Sequence, residues 1–237
     1  MVTGAGSGIG LAIADRLLTA GASVVVHHHS SVDGARSLAV KHGQERCLLV
    51  QADFAVPAST SEVFAKAWGW HRRLEILVNN AATIVPVASI DQITEEDLVR
   101  TMQVNHVAPF MLSKLSLSAM RHQRDGRIVS ISSIGVKFLG SAQTTPYMVS
   151  KAALEAGTLA LARFAAADGV LINVVRAGVT RTALHARIGR PDLGAREAQI
   201  PLRRAAEPDE IAAVVEFLVS PSNTYLTGAL IPVAGGE

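Results

Sequence analysis

Short runs of apolar and β-branched residues alternate along this chain with longer segments of helical periodicity. Runs with the length and composition of buried strands occur at 24–26, 47–51, 74–78, 127–131, 170–175 and 229–233. Helices are predicted at 10–20, 31–42, 95–120, 147–167 and from 208 to 218. This alternation predicts one α/β domain over residues 1–237, doubly wound, with helices on both faces of a parallel sheet and ligands at the carboxyl ends of its strands.

Two segments depart from this regular pattern. Only Met1 and Val2 precede a glycine-rich turn, where a strand of about five residues is expected, so we expect native residues ahead of Met1. The segment 180–202 contains two glycines and two prolines and is predicted to form a mobile lid over the substrate.

The charge balance argues against two classes of partner. The chain has 22 basic and 20 acidic side chains and a formal charge of only +2, which disfavours a nucleic-acid groove and an acidic membrane surface. Charged residues make up 18%, below the about 25% usual in soluble domains. We therefore expect much of the surface to be buried between subunits of a homo-oligomer.

The cysteine content and the chain start bear on the compartment. Cys47 is the only cysteine, which excludes an internal disulfide and a cysteine-based zinc site and favours a reducing, cytoplasmic setting. The sequence shows neither a signal-peptide pattern nor an uncharged apolar run long enough to cross a bilayer. We therefore predict a soluble protein.

Residues 3–10 read TGAGSGIG immediately before a predicted helix. Glycines at this point permit a tight turn and let backbone N–H groups reach a phosphate at the helix N-terminus. The segment is interpreted as a pyrophosphate cradle, and a plain strand-to-helix turn is the alternative.

Tyr147 and Lys151 are four residues apart in an alanine-rich helical segment, so their side chains share one face. A tyrosine ordinarily titrates near pH 10, and a neighbouring ammonium favours the phenolate, so we expect a lowered pKa for Tyr147. Such a tyrosine can exchange a proton with a substrate. The alternative is an amphipathic helix with the tyrosine packed and the lysine solvated.

Taken together, these motifs resemble the classical short-chain dehydrogenase/reductase family over nearly the whole chain. The glycine turn has the family's form, the sequence NNAA at 79–82 resembles its Asn-Asn-Ala-Gly segment, and Tyr147-x-x-x-Lys151 matches its catalytic pair. The strand ending at Ser133 and the Asn105 in Val104-Asn105-His106 match its remaining catalytic positions.

The resemblance implies a role for each of these residues. Ser133 would hold the substrate oxygen, Tyr147 would transfer its proton, and Lys151 would bind the nicotinamide ribose and lower the tyrosine pKa. Asn105 would position a helix backbone and a relay water, and the alternative is a helix-kink side chain that bonds to backbone. Besides Tyr147 and Lys151, the cofactor-binding positions implied are Gly4, Ser7, Gly8, Ile9, Gly10, His28, Ser30, Asp53, Asn80, Ala81, Gly178, Thr180 and Thr182.

Residues 27–31 bear on cofactor choice and on metal binding. The resemblance places His28 where NAD-specific relatives carry Asp, and no carboxylate occurs between Val26 and Asp33, which favours NADP(H), with NAD(H) possible. A metal site at the three consecutive histidines is not expected, because successive strand residues point to opposite faces. Asp53 is assigned to the adenine end, with a loop cap as its alternative.

The sequence thus predicts an NADP(H)-dependent oxidoreductase that interconverts a ketone and a secondary alcohol. The resemblance adds 3-oxoacyl carrier-protein reduction as a specific activity and a homotetramer as the assembly. An NAD-dependent dehydrogenase of a sugar alcohol, steroid or hydroxy acid, and a non-catalytic cofactor-binding scaffold, are the alternatives. Substrate choice is assigned to Ile84, Phe138, Leu184, Ile188 and Leu193.

Overall fold

A computed structural model describes residues 1–85, 87–184 and 192–237. Six parallel strands form the sheet: β1 Val24–His28, β2 Cys47–Gln51, β3 Ile76–Asn79, β4 Gly126–Ser133, β5 Val170–Ala177 and β6 Leu230–Val233. Each predicted strand is present, with bounds shifted by up to two residues.

The start of the chain lies between the two parts of this sheet. β2 pairs with β1, and β3 to β6 pair in sequence order. Val2 forms parallel bridges to Val26 of β1 and to Val78 of β3. Its N–H donates to the carbonyl of Val25 at 2.9 Å, and its own carbonyl accepts from His27 at 3.1 Å. The spatial order is therefore β2, β1, the Val2 segment, β3, β4, β5 and β6.

The helices are α1 Gly8–Thr19, α2 Val32–His42, α3 Ser59–His71, α4 Glu95–Met102, α5 Ala108–Gln123, α6 Thr145–Ala165, α7 Gly194–Glu197 and α8 Pro208–Val219. None of the helices in the described ranges is long and apolar enough to span a membrane. Helix α3 has no counterpart among the predicted elements.

The predicted helix over 95–120 is interrupted in the structure. A capping box between Thr94 and Asp97 starts α4 as expected, but the residues Gln103–Val107 form a π-helical turn before α5 begins. A π-turn changes the side-chain phase by one residue, and such turns are frequent at functional sites. Here the turn brings Asn105 into the protein interior.

Two apolar clusters cover the two faces of the sheet. One contains Ile13 and Leu18 of α1 with Ile211 and Leu218 of α8. The other is built from α3, α5 and α6 and includes Val63, Leu77, Leu112, Ile128 and Ala162. Each face of the sheet thus carries its own apolar core covered by helices, and the predicted doubly wound α/β fold is confirmed.

The predicted lid is only partly described. Thr180 pairs with Ala206 in a parallel bridge, and α7 follows at Gly194–Glu197. Residues 185–191 of this segment, with Ile188 among them, lie outside the described residues.

Candidate active site

The glycine positions of the turn at residues 4–10 have no room for a side chain. Gly4 has a φ of +63°, in the left-handed region. A Cβ on Gly6 would lie 2.1 Å from the carbonyl oxygen of Ser31. Helix α1 starts at Gly8, and the side chain of its N-cap residue Ser7 makes no capping hydrogen bond. First-turn N–H groups left without a capping side chain are the donors that a phosphate requires.

Asn80 fastens this turn to the end of β3. Its side-chain amide donates to the carbonyls of Thr3 at 2.9 Å and Gly4 at 3.1 Å. The Thr3 hydroxyl oxygen accepts from the N–H groups of Asn80 and Ala81. Asn80 and Ala81 therefore border the cleft as predicted, while the Asn80 amide is used to shape the turn.

His27 connects the same turn to the end of β2. Its Nδ1 accepts from the N–H of Gly4 at 3.1 Å, so its Nε2 carries the proton and donates to the carbonyl of Ala52 at 3.2 Å. The ring stacks on Phe54, with the centroids 4.2 Å apart. Burial lowers the pKa of His27 to about 4, so the imidazole is neutral at physiological pH.

The next residues line the cleft where the second half of a dinucleotide would extend. His28 is buried, and its Nδ1 has no hydrogen-bond partner within the described structure. Ser30 and Asp53 also line the cleft. One Asp53 oxygen accepts from the N–H of Ala55 at 2.9 Å, and the other lies 3.7 Å from His29 Nε2. Asp53 is thus both a loop cap and a cleft residue.

The histidine run does not assemble a metal site in this arrangement. Among residues 1–85, 87–184 and 192–237 no group of three His, Cys, Asp or Glu side chains is placed to hold an ion. His27 already uses both ring nitrogens in hydrogen bonds.

A cleft of about 1170 Å³ brings the predicted reactive side chains to the glycine turn. It is lined by Ser133, Tyr147 and Lys151 as well as by Gly4 and Ser7. Ser133 ends β4, and its hydroxyl oxygen accepts from the N–H of Gly135 at 3.1 Å. That bond uses the oxygen as an acceptor and leaves the hydroxyl proton available to a substrate.

The ionisation of Tyr147 differs from the sequence prediction. Burial raises its pKa to about 12, because the phenolate loses its solvation in the protein interior. Lys151 Nζ lies 5.6 Å from the tyrosine ring centroid and donates to the carbonyl of Ile131 at 2.7 Å. Burial also lowers the pKa of Lys151 to about 8, an effect that the charge of Glu155 opposes. Tyr147 is therefore a protonated acid at neutral pH.

Asn105 lies fully buried behind these residues and binds protein groups. Its Oδ1 accepts from the N–H of Thr83 at 2.8 Å, and its Nδ2 donates to the carbonyl of Thr83 and to the hydroxyl of Ser150. Ser150 in turn donates to the carbonyl of Tyr147. The contacts correspond to the backbone-bonding alternative, because both ends of the amide bond to the backbone of Thr83, and the Nδ2 end also reaches α6 through Ser150.

The segment after β5 closes the other side of the cleft. Gly178 donates its N–H to Val233 at 2.9 Å, and a Cβ there would lie 2.7 Å from Ala234. The buried Thr180 hydroxyl donates to the Gly178 carbonyl. Thr182 lies beside Gly8 at the start of α1. Gly178, Thr180 and Thr182 all line the cleft, together with Gly8 and Ile9.

Known proteins resemble this chain over its full length. Residues 4–237 match the family described as enoyl-(acyl carrier protein) reductase. The 3-oxoacyl-(acyl-carrier-protein) reductase FabG of Aquifex aeolicus is 34% identical over 100% of this chain and 95% of its own length. A blue fluorescent protein from a metagenomic library, solved in complex with NADPH, superimposes with a TM-score of 0.91 at 34% identity, covering 99% of this chain and 95% of that one.

The chain belongs to the short-chain dehydrogenase/reductase family. YwfH, an NADPH-dependent reductase involved in bacilysin biosynthesis, has a TM-score of 0.90 at 25% identity, covering 99% of this chain and 96% of that one. This membership identifies an NAD(P)-dependent oxidoreductase that acts on small molecules. The glycine turn and the uncapped start of α1 fit its nicotinamide cofactor.

The substrate end of this short-chain dehydrogenase/reductase is largely apolar. Of the residues to which the sequence assigns substrate choice, Ile84, Phe138, Leu184 and Leu193 line the cleft, while Ile188 lies outside the described residues. Met148, which follows the catalytic tyrosine, lines it too.

Sequence reasoning missed a buried charged cluster beneath Lys151. Glu155 accepts from the Ser132 hydroxyl at 2.7 Å and from two nitrogens of Arg176 at 2.8 and 2.6 Å. The signal was present, because Glu155 follows Lys151 by four residues and so continues the face that carries Tyr147.

Proposed function

We propose that this protein is an NADP(H)-dependent enzyme that interconverts a ketone and a secondary alcohol. The observation that supports this proposal most directly is that Ser133, Tyr147 and Lys151 line the same cleft as the glycine turn of residues 4–10. A non-catalytic scaffold would not need two hydroxyl donors and a buried ammonium at this point.

The side chains divide the work of reduction between them. The Ser133 hydroxyl donates a hydrogen bond to the substrate carbonyl oxygen, and Tyr147 gives that oxygen its phenolic proton. A reduced nicotinamide cofactor held by the glycine turn of residues 4–10 and by Lys151 would supply the hydride that the carbonyl carbon needs. Lys151 holds the nicotinamide ribose and stabilises the tyrosinate that remains until a solvent proton replaces the one transferred.

Tyr147→Phe tests this assignment directly. The ring keeps its packing but loses the transferable proton, so we expect the single-turnover rate to fall at least about a thousandfold while the cofactor Kd changes little. Tyr225 is the other tyrosine of the chain and is 95% exposed, which makes Tyr225→Phe the matched control. A Tyr147→Phe variant with most of the wild-type rate would remove Tyr147 from the mechanism.

The preference for NADP(H) rests on the end of β1. His28 and Ser30 offer neutral or cationic hydrogen-bond donors to a 2′-phosphate, whereas a carboxylate there would repel it. Two similar structures, YwfH and the blue fluorescent protein, are described with NADPH. We expect the Kd ratio of NADH to NADPH to exceed one and to fall in His28→Asp. A wild-type protein that already binds NADH more tightly would contradict this.

The substrate is proposed to be a ketone with an apolar body, and a 3-oxoacyl thioester carried by a protein is the specific candidate. The apolar lining and the similarity to FabG support it. The family description names an enoyl reduction. Two hydroxyl donors, Ser133 and Tyr147, in the same cleft favour carbonyl over alkene reduction. Rates with matched 3-oxoacyl and enoyl thioesters, a sugar alcohol and a steroid distinguish these candidates.

We also propose a domain organisation, an oligomeric state and a cellular compartment for this protein. One domain would carry both the cofactor and the substrate sites, and the protein would act in the cytoplasm as a homotetramer. Apolar side chains exposed on the single chain along α4, the π-turn, α5 and α6 support an oligomer that uses these helices as its interface. They are Val99, Val107, Met111 and Phe164.

A further inference from the structure

The face of α6 that carries the catalytic residues continues into a charged cluster. Tyr147, Lys151 and Glu155 follow one another at intervals of four residues, and all three are buried. The Cβ atoms of residues at this spacing lie about 5–6 Å apart. The carboxylate of Glu155 is therefore one helical turn from the ammonium of Lys151.

The sheet holds that carboxylate in place. Ser132 of β4 and Arg176 of β5 are paired in the strand register, so they face α6 side by side. Ser132 donates to one Glu155 oxygen, and Arg176 donates to both in a bidentate pair. The Glu155 side chain is only 6% exposed. Breaking such a buried pair on one side is costly, so the carboxylate has a single well-defined position.

The groups around Lys151 leave Glu155 as the one acidic side chain in this arrangement. Tyr147 flanks the lysine on α6, and β4 contributes the Ile131 carbonyl. The π-turn contributes the uncharged Asn105, which reaches α6 through Ser150. On β5 the facing charge is Arg176, which is turned to Glu155. Within the described residues, Glu155 is the charged group that favours the protonated form of Lys151.

We propose that Glu155 is a positioning residue for the reaction, a fixed negative charge that keeps Lys151 an ammonium within its buried site. The inference rests on the proposed function, in which the lysine must be charged to stabilise a tyrosinate. Arg176 and Ser132 serve it by fixing the carboxylate. If the Glu155–Arg176 pair were merely structural, removing the Glu155 charge would leave the pKa of Lys151 unchanged.

The experiment measures the lysine itself. The protein is labelled with ¹³Cε-lysine and titrated by NMR without substrate or cofactor. The other lysines, Lys41, Lys66, Lys114 and Lys137, are exposed. Lys151→Met identifies the signal of the buried one.

Glu155→Gln keeps the size and the acceptor oxygen but removes the charge. We expect the pKa of Lys151 to fall by about half a unit to one unit, the scale of one partly compensated charge at this distance. Glu155→Asp keeps the charge and should retain most of the wild-type value. Thr158→Val, which removes buried hydrogen bonds to Ser130 and Leu154 one turn further along, should leave it unchanged.

The activity profile provides the second measurement. The alkaline limb of kcat/KM for ketone reduction should move to lower pH in Glu155→Gln by the shift seen by NMR. If Glu155→Gln fails to fold, Glu155→Gln combined with Arg176→Gln leaves no unpaired buried charge. A downward shift of the Lys151 pKa is still expected, smaller than in the single variant because the Arg176 cation is lost together with the carboxylate. An unchanged lysine titration in the variant that folds overturns the proposal. The NMR titration needs no turnover, so an unchanged Lys151 titration refutes the role of Glu155 alone. The proposed function fails by different results, namely an inactive wild-type enzyme or a fully active Tyr147→Phe variant.

Discussion

The buried His27 makes the stability of this protein dependent on pH in a defined window. Its folded-state pKa of about 4 lies below the ordinary value of 6.5. Between these values the unfolded chain binds a proton that the native state refuses, so the free energy of unfolding falls as the pH drops. Above pH 6.5 both states are neutral and this loss is absent.

The size of the effect follows from the two pKa values. At pH 5 the unfolded imidazole is almost fully protonated and the native one about a tenth, which costs about 2 kcal/mol of stability. Below pH 4 the loss saturates at about 3 kcal/mol. Desolvation causes the shift, opposed by the bond to Ala52 and increased by the nearby His28 and His29.

The assay compares His27→Asn with the wild type by urea unfolding at pH 7.5 and pH 5. Asparagine can still accept from the Gly4 N–H but does not titrate. The variant should therefore have a lower free energy of unfolding than the wild type at pH 7.5, and that free energy should fall by about 2 kcal/mol less than in the wild type between pH 7.5 and pH 5. His71→Asn changes an exposed histidine and serves as the control, with a wild-type slope. Parallel pH dependences for His27→Asn and wild type would refute the reasoning.

Three further outcomes are expected. Gly6→Ala places a Cβ 2.1 Å from the Ser31 carbonyl oxygen, so cofactor binding should weaken at least about tenfold when measured by nucleotide fluorescence. Unchanged binding would show that the turn can open to admit the methyl group. Asn105→Ala removes two hydrogen bonds to Thr83 and one to Ser150, so the melting temperature should drop by several degrees along with kcat, and a stable, fully active variant would contradict the anchoring role. Light scattering at micromolar concentration should give a mass above the 24.9 kDa of one chain, falling toward it in Phe164→Glu, and a wild-type monomer would reject the oligomer.

Much of the fold was predictable because parallel strands buried on both faces leave a plain signal. Each β-branched run became a strand, and the capping box at Thr94 starts α4 as expected. Helix α3 was missed because its sequence STSEVFAKAWGWH mixes polar residues and a glycine into a weak amphipathic pattern. The break before α5 was missed because a π-turn shifts the side-chain phase without an obvious breaker residue.

The active site also has features that the sequence predicts and features that it does not. Spacing alone was enough to predict that Tyr147 and Lys151 share a helix face, and the structure places both in the cleft. The pKa of Tyr147 went in the direction opposite to the prediction, because the cost of desolvation depends on tertiary burial that local spacing does not contain. Arg176 lies 21 residues from Glu155 along the chain, so only the strand register brings these two charges together.

The way Val2 bridges the sheet has a consequence for local opening. The β1–β2 pair joins the other four strands through the short segment of residues 1–5 and through the packing of α1: Val2 and Ala5 bond to β1, and Met1 and Thr3 bond to β3. A boundary with so few backbone bonds is where a native protein separates into cooperative units. Amide exchange should therefore be faster in β1 and β2 than in β4 and β5 of the free protein. A dinucleotide lying across the boundary would contact both units, and its binding should equalise their protection.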